Sequence, residues 1–367
     1  MKKYLQHKDQ SFLISLSDFN DLSLQKKVWN ALEDCFHSFL PAEDKNIGMS
    51  FLFTDHIETF LNQSYTLLSK NVHVSDKQIY FKGNDLGFIV NRDNPCYIII
   101  NIKDNENIFS SLRIFNKAFK NNIELQISVF YYRIFLFFSQ LWNLENRSSY
   151  IHAAAIEIEK EAVVISADSG VGKSSLLFRI SQQKEVDFIA DDLAIVSCDS
   201  EVFYQGRALS VKPYHLEFYH FLKDKLQLSM NFMQRIQWSI MSDKRLTHRI
   251  KPSILFSRST QRSNIKRVVH LCNHNSNEFK IQSISAKDFC NIIIPILMKE
   301  QFLAHNNWNM ITSFPDLGLS TSEDMYRKSR EVFEEAFKEC RLLLVYVPYR
   351  SDPNLLYEFL KREGCLD

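Results

Sequence analysis

A glycine loop between an apolar run and a segment with helical spacing constrains this chain more than any other feature. Residues 163–166 (VVIS) have the β-branched content of a short buried strand. They lead into residues 167–174 (ADSGVGKS), which fit the pattern G-x-x-x-x-G-K-[ST] with alanine in place of the first glycine. Residues 174–183 then carry apolar residues at helical spacing. Strand, loop and helix in this order predict an anion-binding loop at a helix N-terminus.

The match is specific because the chain is poor in glycine. Only eight glycines occur in 367 residues, and two of them fall in this loop, with Gly172 directly before the Lys-Ser pair as the pattern requires. The alternative is an ordinary strand-turn-helix with an incidental lysine. In that case the match to the pattern would be a coincidence. The residues expected to hold a polyphosphate form one run: Asp168, Ser169, Gly170, Val171, Gly172, Lys173, Ser174 and Ser175.

Two further segments carry side chains suited to phosphate chemistry. Asp191 and Asp192 follow the apolar run 188–190, and His152 lies upstream in the small-residue run 151–155. Magnesium prefers oxygen ligands and usually keeps waters beside one or two carboxylates, while a second carboxylate can deprotonate a hydroxyl. Taken singly, the aspartates could be a helix cap and the histidine a core residue. Together with the loop they indicate a functional site.

Composition disfavours several other classes of function. The formal net charge of +1 gives no global field for nucleic acid or an anionic membrane, so neither is expected as a partner. Seven scattered cysteines without a C-x-x-C pair indicate neither a zinc site nor a disulfide framework, and reduced thiols in a cytoplasmic protein are expected. The N-terminus lacks the apolar segment of a secretory signal, and the run 127–142 falls short of a membrane span.

The pattern along the chain predicts two domains with a boundary near residue 126. Residues 1–75 have mostly helical patterning, including residues 21–40 and 57–68, and residues 76–103 have the patterning of short strands. The N-terminal domain, residues 1–126, is therefore predicted to be α+β and to bind a substrate or partner.

The second predicted domain, residues 127–367, is of the α/β class. It begins with an aromatic helix over residues 127–143 and includes a hairpin about Gln205-Gly206-Arg207. Residues 243–267 are markedly basic, and we expect a solvated loop there, or a segment that faces phosphate or a partner.

From His152 to Asp192 the chain resembles the catalytic core of bacterial HPr kinase/phosphorylase and its wider group. That family has a histidine on a strand, a [GA]-D-S-G-x-G-K-S loop and an A-D-D motif after the next strand, matched here by His152 and by residues 167–174 and 190–192. A second family motif, E-V-R-G-x-G, is kept only in part at residues 201–206. The resemblance is better to the divergent kinases of the group, some of which phosphorylate a serine on a biosynthetic precursor peptide.

This resemblance implies a P-loop kinase core of the HPr-kinase/PEP-carboxykinase-like type that uses ATP and Mg²⁺. The γ-phosphate would pass to a hydroxyl, expected to be a serine in a protein or peptide. By the resemblance, Asp191 would activate that hydroxyl and Lys173 would bind the β- and γ-phosphates. Ser174 and Asp192 would serve Mg²⁺, and His152 would assist near the acceptor. The resemblance also leaves a homo-oligomer open.

The residues by themselves leave other functions open. A small-molecule hydroxyl kinase would use the same residues around a closed pocket, and an ATPase or switch module would have no acceptor except water. A GTP switch is disfavoured because the Asn116-Lys117 pair lacks the aspartate of an N-K-x-D motif. A binding protein that has lost catalysis is disfavoured because the loop residues and both aspartates are retained together.

Overall fold

The protein is described here from a computed structural model. The structure describes residues 1–61, 65–83, 86–104, 121–230, 247–312 and 319–366 and the single positions 232, 235, 236 and 238, without the side chains at 302–307, 310 and 311. The chain divides into two compact units, Met1–Glu145 with Gln301–Asp324 and Asn146–Glu300 with Met325–Asp367. The expected mixture of α and β structure is confirmed, because both units contain strands and helices.

The first unit is built on an eight-stranded sheet. In chain order its strands are β1 (Lys2–His7), β2 (Gln10–Asp18), β3 (Ile47–Thr54), β4 (Thr66–Ser69), β5 (Val72–Val74), β6 (Gln78–Phe81), β7 (Gly87–Asn91) and β8 (Tyr97–Asn101). Their order in the sheet is β1-β2-β3-β8-β7-β6-β5-β4. Helix α1 (Leu22–Cys35) begins after Asp21, whose side chain accepts hydrogen bonds from the amides of Ser23 and Leu24.

The prediction of a mostly helical N-terminus is wrong outside α1. Strand β2 forms because Phe12, Ile14 and Leu16 alternate along it and are all buried, which is the two-residue period of a strand. The helix expected over residues 57–68 is reduced to a 3₁₀ turn, Ile57–Phe60, and residues 62–64 lie outside the described part of the chain. The strands expected within residues 76–103 are confirmed as β6, β7 and β8.

The aromatic helix belongs to the first unit, so the division follows Glu145 and does not lie near residue 126. This helix comprises α2 (Asn122–Val129), a π-helical turn (Phe130–Phe135) and α3 (Leu136–Glu145). The physical reason is aromatic packing within the first unit. The ring centroid of Phe135 lies 4.9 Å from that of Phe12, and Phe130 lies 5.2 Å from Phe51.

The second unit contains a nine-stranded sheet and a two-stranded one. Its strands are β9 (Ser148–Ile151), β10 (Ala153–Ile158), β11 (Glu161–Ala167), β12 (Val186–Ala190), β13 (Ala194–Ser197), β14 (Glu201–Tyr204), β15 (Leu209–Val211), β16 (His248–Ile250), β17 (Arg262–His274), β18 (Lys280–Ser283) and β19 (Arg341–Pro348). The large sheet runs β12-β10-β11-β17-β14-β13-β9, and β19 pairs with both β17 and β18. Strands β11, β17 and β19 are parallel neighbours.

The remaining helices are α4 (Lys173–Ile180), α5 (His215–Phe218), α6 (Phe221–Ser229), α7 (Ala286–Thr312), α8 (Ser322–Ala336) and α9 (Pro353–Arg362). None of the helices in the described ranges combines the length and hydropathy that a membrane span requires.

Two predictions for the second unit are wrong. The expected hairpin about Arg207 does not form, because β14 pairs with β13 and β17, whereas β15 pairs with β16. Residues 243–246 of the basic stretch lie outside the described residues. Its remainder is not one solvated loop but contributes β16, a 3₁₀ turn (Pro252–Ile254) and the start of β17.

Strand register brings three segments of the second unit together at the same end of neighbouring strands. In the antiparallel pairs, Ala153 of β10 lies opposite Ser166 of β11, and Ala155 lies opposite Ala190 of β12. The start of β10 therefore lies beside the ends of β11 and β12. As a consequence, His152 before β10, the glycine loop after β11 and the two aspartates after β12 lie close together at this end of the strands.

Candidate active site

The loop between β11 and α4 contains two glycines whose backbone few other residues could adopt. Gly170 and Gly172 have φ angles of +87° and +113°, in the left-handed region that favours glycine. A Cβ atom placed on either glycine would meet nothing within 4 Å, so open space lies beside the loop. No side chain caps the N-terminus of α4. Its first-turn N–H groups are therefore suited to receive an anion.

Lys173 is buried at the base of this loop and bonds to neutral acceptors. Its Nζ donates to the carbonyl oxygen of Ala167 at 3.0 Å and to Nε2 of His152 at 2.8 Å. Burial lowers the pKa of Lys173 despite the carboxylates around it. Burial also lowers the pKa of His152, and the positive charge of Lys173 lowers it further.

The contact with Lys173 fixes the tautomer of His152. An ammonium group only donates, so Nε2 accepts and the ring proton lies on Nδ1, which is 3.5 Å from Oδ1 of Asp192. The sequence led us to expect His152 near the phosphoryl acceptor. In the structure its two nitrogens face the loop lysine and Asp192, so the ring is placed to orient both side chains.

Asp191 is buried and carries one unused oxygen. Its Oδ1 accepts a hydrogen bond from the hydroxyl of Ser174 at 3.1 Å, and its Oδ2 is buried without a hydrogen-bond partner. Burial, together with the adjacent charge of Asp192, raises the pKa of Asp191 to about 6. A carboxylate with a pKa near neutrality and a vacant oxygen is suited to accept a proton from a hydroxyl.

Asp192 behaves in the opposite way to its neighbour. Its φ of +69° lies in the left-handed region, which aspartate tolerates better than most residues, and its carboxylate is partly exposed. Oδ2 forms an ion pair with Nη1 of Arg207. Burial alone would raise the pKa of Asp192, but the charges of Arg207, His152 and Lys173 outweigh it and hold that pKa below its usual value. Two adjacent carboxyl groups with opposite shifts are typical of divided acid–base and charge-binding roles.

Helix α7 fastens the tip of the loop. Lys299 donates to both carboxylate oxygens of Asp168, at 2.8 and 3.1 Å, and the hydroxyl of Ser169 donates to Glu300 at 3.0 Å. The hydrogen bond from Lys299 lowers the pKa of Asp168. Both α7 residues are exposed, and exposed ion pairs contribute little to the free energy of folding. We therefore assign these contacts the role of positioning the loop.

The structure brings together most of the residues that the sequence assigned to a site. Two sets of contacts lie side by side: Lys173 with His152 and His152 with Asp192, and Ser174 with Asp191. They adjoin because residues 173 and 174, and residues 191 and 192, are neighbours in the chain. The other assigned residues lie outside these contacts. Asp168 and Ser169 contact α7, and Gly170 and Gly172 allow the turn of the loop. Val171 packs on the core, and Ser175 is buried in the first turn of α4.

Sequence reasoning missed Arg207, Lys299 and Glu300. The latter two lie 131 residues from their loop partners, so no local pattern could connect them. For Arg207 a weak signal existed, because it directly follows Gly206, the last residue of the partly matched second motif.

The donor set fits a magnesium ion shared with phosphate oxygens better than a closed metal site. Within the described ranges, no three His, Cys, Asp or Glu side chains converge in an arrangement that could hold a metal by themselves. Ser174 and the two aspartates nevertheless offer hard oxygen donors, and Oδ2 of Asp191 has no partner. Magnesium commonly takes one or two carboxylates and completes its shell with water and phosphate oxygens.

The raised pKa of Asp191 predicts a pH-dependent stability. Because its pKa rises from 3.8 to about 6, its stabilising contribution is complete below the unfolded value and is lost as the pH rises through about 6. We expect the unfolding free energy of the wild type, relative to Asp191→Asn, to fall by about 2 kcal/mol between about pH 4 and about pH 7. Urea denaturation of both proteins at the two pH values measures this difference, and a constant difference would contradict the prediction.

Comparisons with known proteins do not show a family for this chain. No protein-family model matches the chain, and no curated protein matches it. Among solved structures, the chain is similar to the HPr(Ser) kinase/phosphatase from Coxiella burnetii, with 8% sequence identity, 59% of this chain and 96% of that chain covered, and a TM-score of 0.29. At this identity and TM-score, a functional assignment has to start from the site residues.

Proposed function

We propose that this protein is a kinase that uses ATP and Mg²⁺ to phosphorylate a hydroxyl group. The acceptor would be the side chain of a serine in a protein or peptide, for example a biosynthetic precursor peptide. The observation that supports this most is the hydrogen bond between Ser174, in the first turn after the glycine loop, and Asp191, a buried carboxylate with an unused oxygen. This contact joins a phosphate-binding element to a candidate base, which is the pairing that phosphoryl transfer to a hydroxyl requires.

The phosphate side of the proposal rests on the loop and Lys173. A triphosphate along the loop would meet the N–H groups at the start of α4 and would give Lys173 an anionic partner in place of a neutral carbonyl and imidazole. Such charge-assisted hydrogen bonds are stronger than neutral ones. Ser174 and Asp192 would hold a magnesium ion, which supplies positive charge to the phosphate oxygens when bound. His152 would keep Lys173 and Asp192 oriented.

The acceptor side rests on Asp191. The oxygen of the acceptor hydroxyl forms a bond to the γ-phosphorus, and the bond from that phosphorus to the β–γ bridging oxygen breaks. The hydroxyl proton passes to Oδ2 of Asp191, and ADP leaves with the bridging oxygen. Since the pKa of Asp191 is raised to about 6, the carboxylate is mostly ionised at neutral pH and still basic enough to take the proton.

The proposal is tested by incubating the protein with γ-labelled ATP, Mg²⁺ and a peptide that co-purifies with it or is encoded next to its gene. Label on a serine of that peptide is the expected result. Label on a small-molecule alcohol would identify the small-molecule kinase instead. If label is released only as free phosphate, both with each acceptor and with no acceptor present, the result would contradict a kinase and support an ATPase.

Substitution of the loop lysine is expected to weaken nucleotide binding. Lys173→Met keeps most of the buried stem but removes the charge, and a hydrogen bond between charged groups is worth enough to change the affinity for ATP by about 10- to 100-fold. Calorimetric titration with a non-hydrolysable ATP analogue measures the loss. Lys266→Met is the matched control, because Lys266 is an exposed lysine of the same unit that pairs with Glu161. Equal affinities for wild type and Lys173→Met would remove the phosphate-binding assignment.

A further inference from the structure

We propose that Arg207 gates metal access to Asp192, so that the site takes up Mg²⁺ only together with a polyphosphate. This inference rests on the proposed function and adds to it an order of binding. Arg207 holds the carboxylate first. The incoming phosphate then draws the guanidinium away, and Asp192 becomes available to the cation that accompanies the phosphate.

The first support is that both oxygens of Asp192 are engaged. Oδ2 forms the ion pair with Nη1 of Arg207, and Oδ1 lies 3.5 Å from Nδ1 of His152. The Arg207 side chain is only 15% exposed, so its guanidinium lies largely inside the site and not on the surface. A cation that approaches Asp192 through Oδ2 has to displace this guanidinium.

The second support is the backbone that carries Arg207. The residue lies between β14 and β15, directly after Gly206, whose φ is +102°. Its carbonyl oxygen accepts a hydrogen bond from the hydroxyl of Tyr204 at 3.4 Å. The main chain is therefore held while the long side chain is able to change partners. A guanidinium matches phosphate oxygens through two parallel hydrogen bonds, which makes phosphate a strong competitor for it.

The third support is the balance of charge. The positive groups at the site are Lys173, Arg207 and Lys212, and the negative groups are the two aspartates and Glu300. Asp168 also acts on Lys173, but its charge is balanced by its ion pair with Lys299. Mg²⁺ alone would add two positive charges to a site that is already close to neutral. An uncompensated charge raises the free energy of a site that is shielded from water. A triphosphate that arrives with Mg²⁺ compensates those charges. Removal of Arg207 would leave a negative site that attracts the free cation.

The test compares Mg²⁺ binding in the presence and absence of nucleotide. Calorimetric titrations with MgCl₂ alone, with a non-hydrolysable ATP analogue alone, and with MgCl₂ in the presence of that analogue are made on wild type and Arg207→Gln. We expect Arg207→Gln to bind Mg²⁺ alone at least about tenfold more tightly than wild type, and to bind the analogue without Mg²⁺ about tenfold more weakly. Arg258→Gln, which breaks the ion pair with Asp187 in the same unit, is expected to change neither value.

Equal Mg²⁺ affinities in wild type and Arg207→Gln would overturn the gate, as would wild-type protein that binds Mg²⁺ equally well with and without the analogue. If Arg207→Gln does not fold, Arg207→Lys carries the test. It keeps one charge but loses the planar fork, so its Mg²⁺ affinity is expected to exceed that of wild type by a smaller factor. A protein that never binds the analogue would refute the proposed kinase, while the titrations with MgCl₂ alone would still decide whether Arg207 blocks Asp192.

Discussion

Asp191→Asn is expected to slow transfer of labelled phosphate by about a thousandfold while nucleotide binding stays close to the wild-type value. Asparagine has nearly the same shape as aspartate and keeps an oxygen that accepts the hydrogen bond from Ser174. It cannot take the proton of an attacking hydroxyl, so the loss falls on the chemical step. Single-turnover transfer of label, measured beside calorimetric binding of the ATP analogue, separates the two effects.

The matched control for this variant is Asp187→Asn. Asp187 lies on β12, the strand that Asp191 directly follows, four residues before Asp191, and pairs with Arg258. The control variant is expected to transfer phosphate at close to the wild-type rate. If wild type and Asp191→Asn release phosphate from ATP at equal rates, Asp191 is not a base for an acceptor hydroxyl, and the ATPase interpretation gains support.

Phe135→Ala is expected to destabilise the first unit by about 3–5 kcal/mol, the usual cost of removing a buried phenylalanine ring. The ring of Phe135 is fully buried, and its centroid lies 4.9 Å from that of Phe12 and 5.3 Å from that of Phe36. Alanine would leave a cavity among these rings, which a packed core cannot close without strain.

Urea denaturation measures the loss of stability, and a nearby exposed residue supplies the control. Tyr132 lies three positions earlier in the same π-helical turn, and it is 40% exposed. Tyr132→Ala is expected to cost much less, because substitutions away from the core usually change stability by about 0.5 kcal/mol. Similar unfolding midpoints for the two variants would show that the aromatic cluster does not hold the unit together.

The sequence was most informative where structure depends on neighbours in the chain. The succession of β11, glycine loop and α4 was predicted correctly because β-branched residues, two glycines and helical spacing occur within a few positions of one another. The position of the aspartates after β12 was predicted for the same reason. The sequence was least reliable in the first 75 residues, where the strand period of Phe12, Ile14 and Leu16 was mistaken for part of a helical region.

The chain alone determined which side chains could bind phosphate or move a proton, because composition and spacing limit that choice to a few residues around positions 152, 173 and 191. Only the tertiary structure decided what those side chains contact. The pairing of Lys173 with His152 depends on the register of β10 and β11, and the pairing of Asp192 with Arg207 depends on where the chain goes after β14. Contacts of this kind form between distant parts of the chain, so packing sets them and local pattern does not.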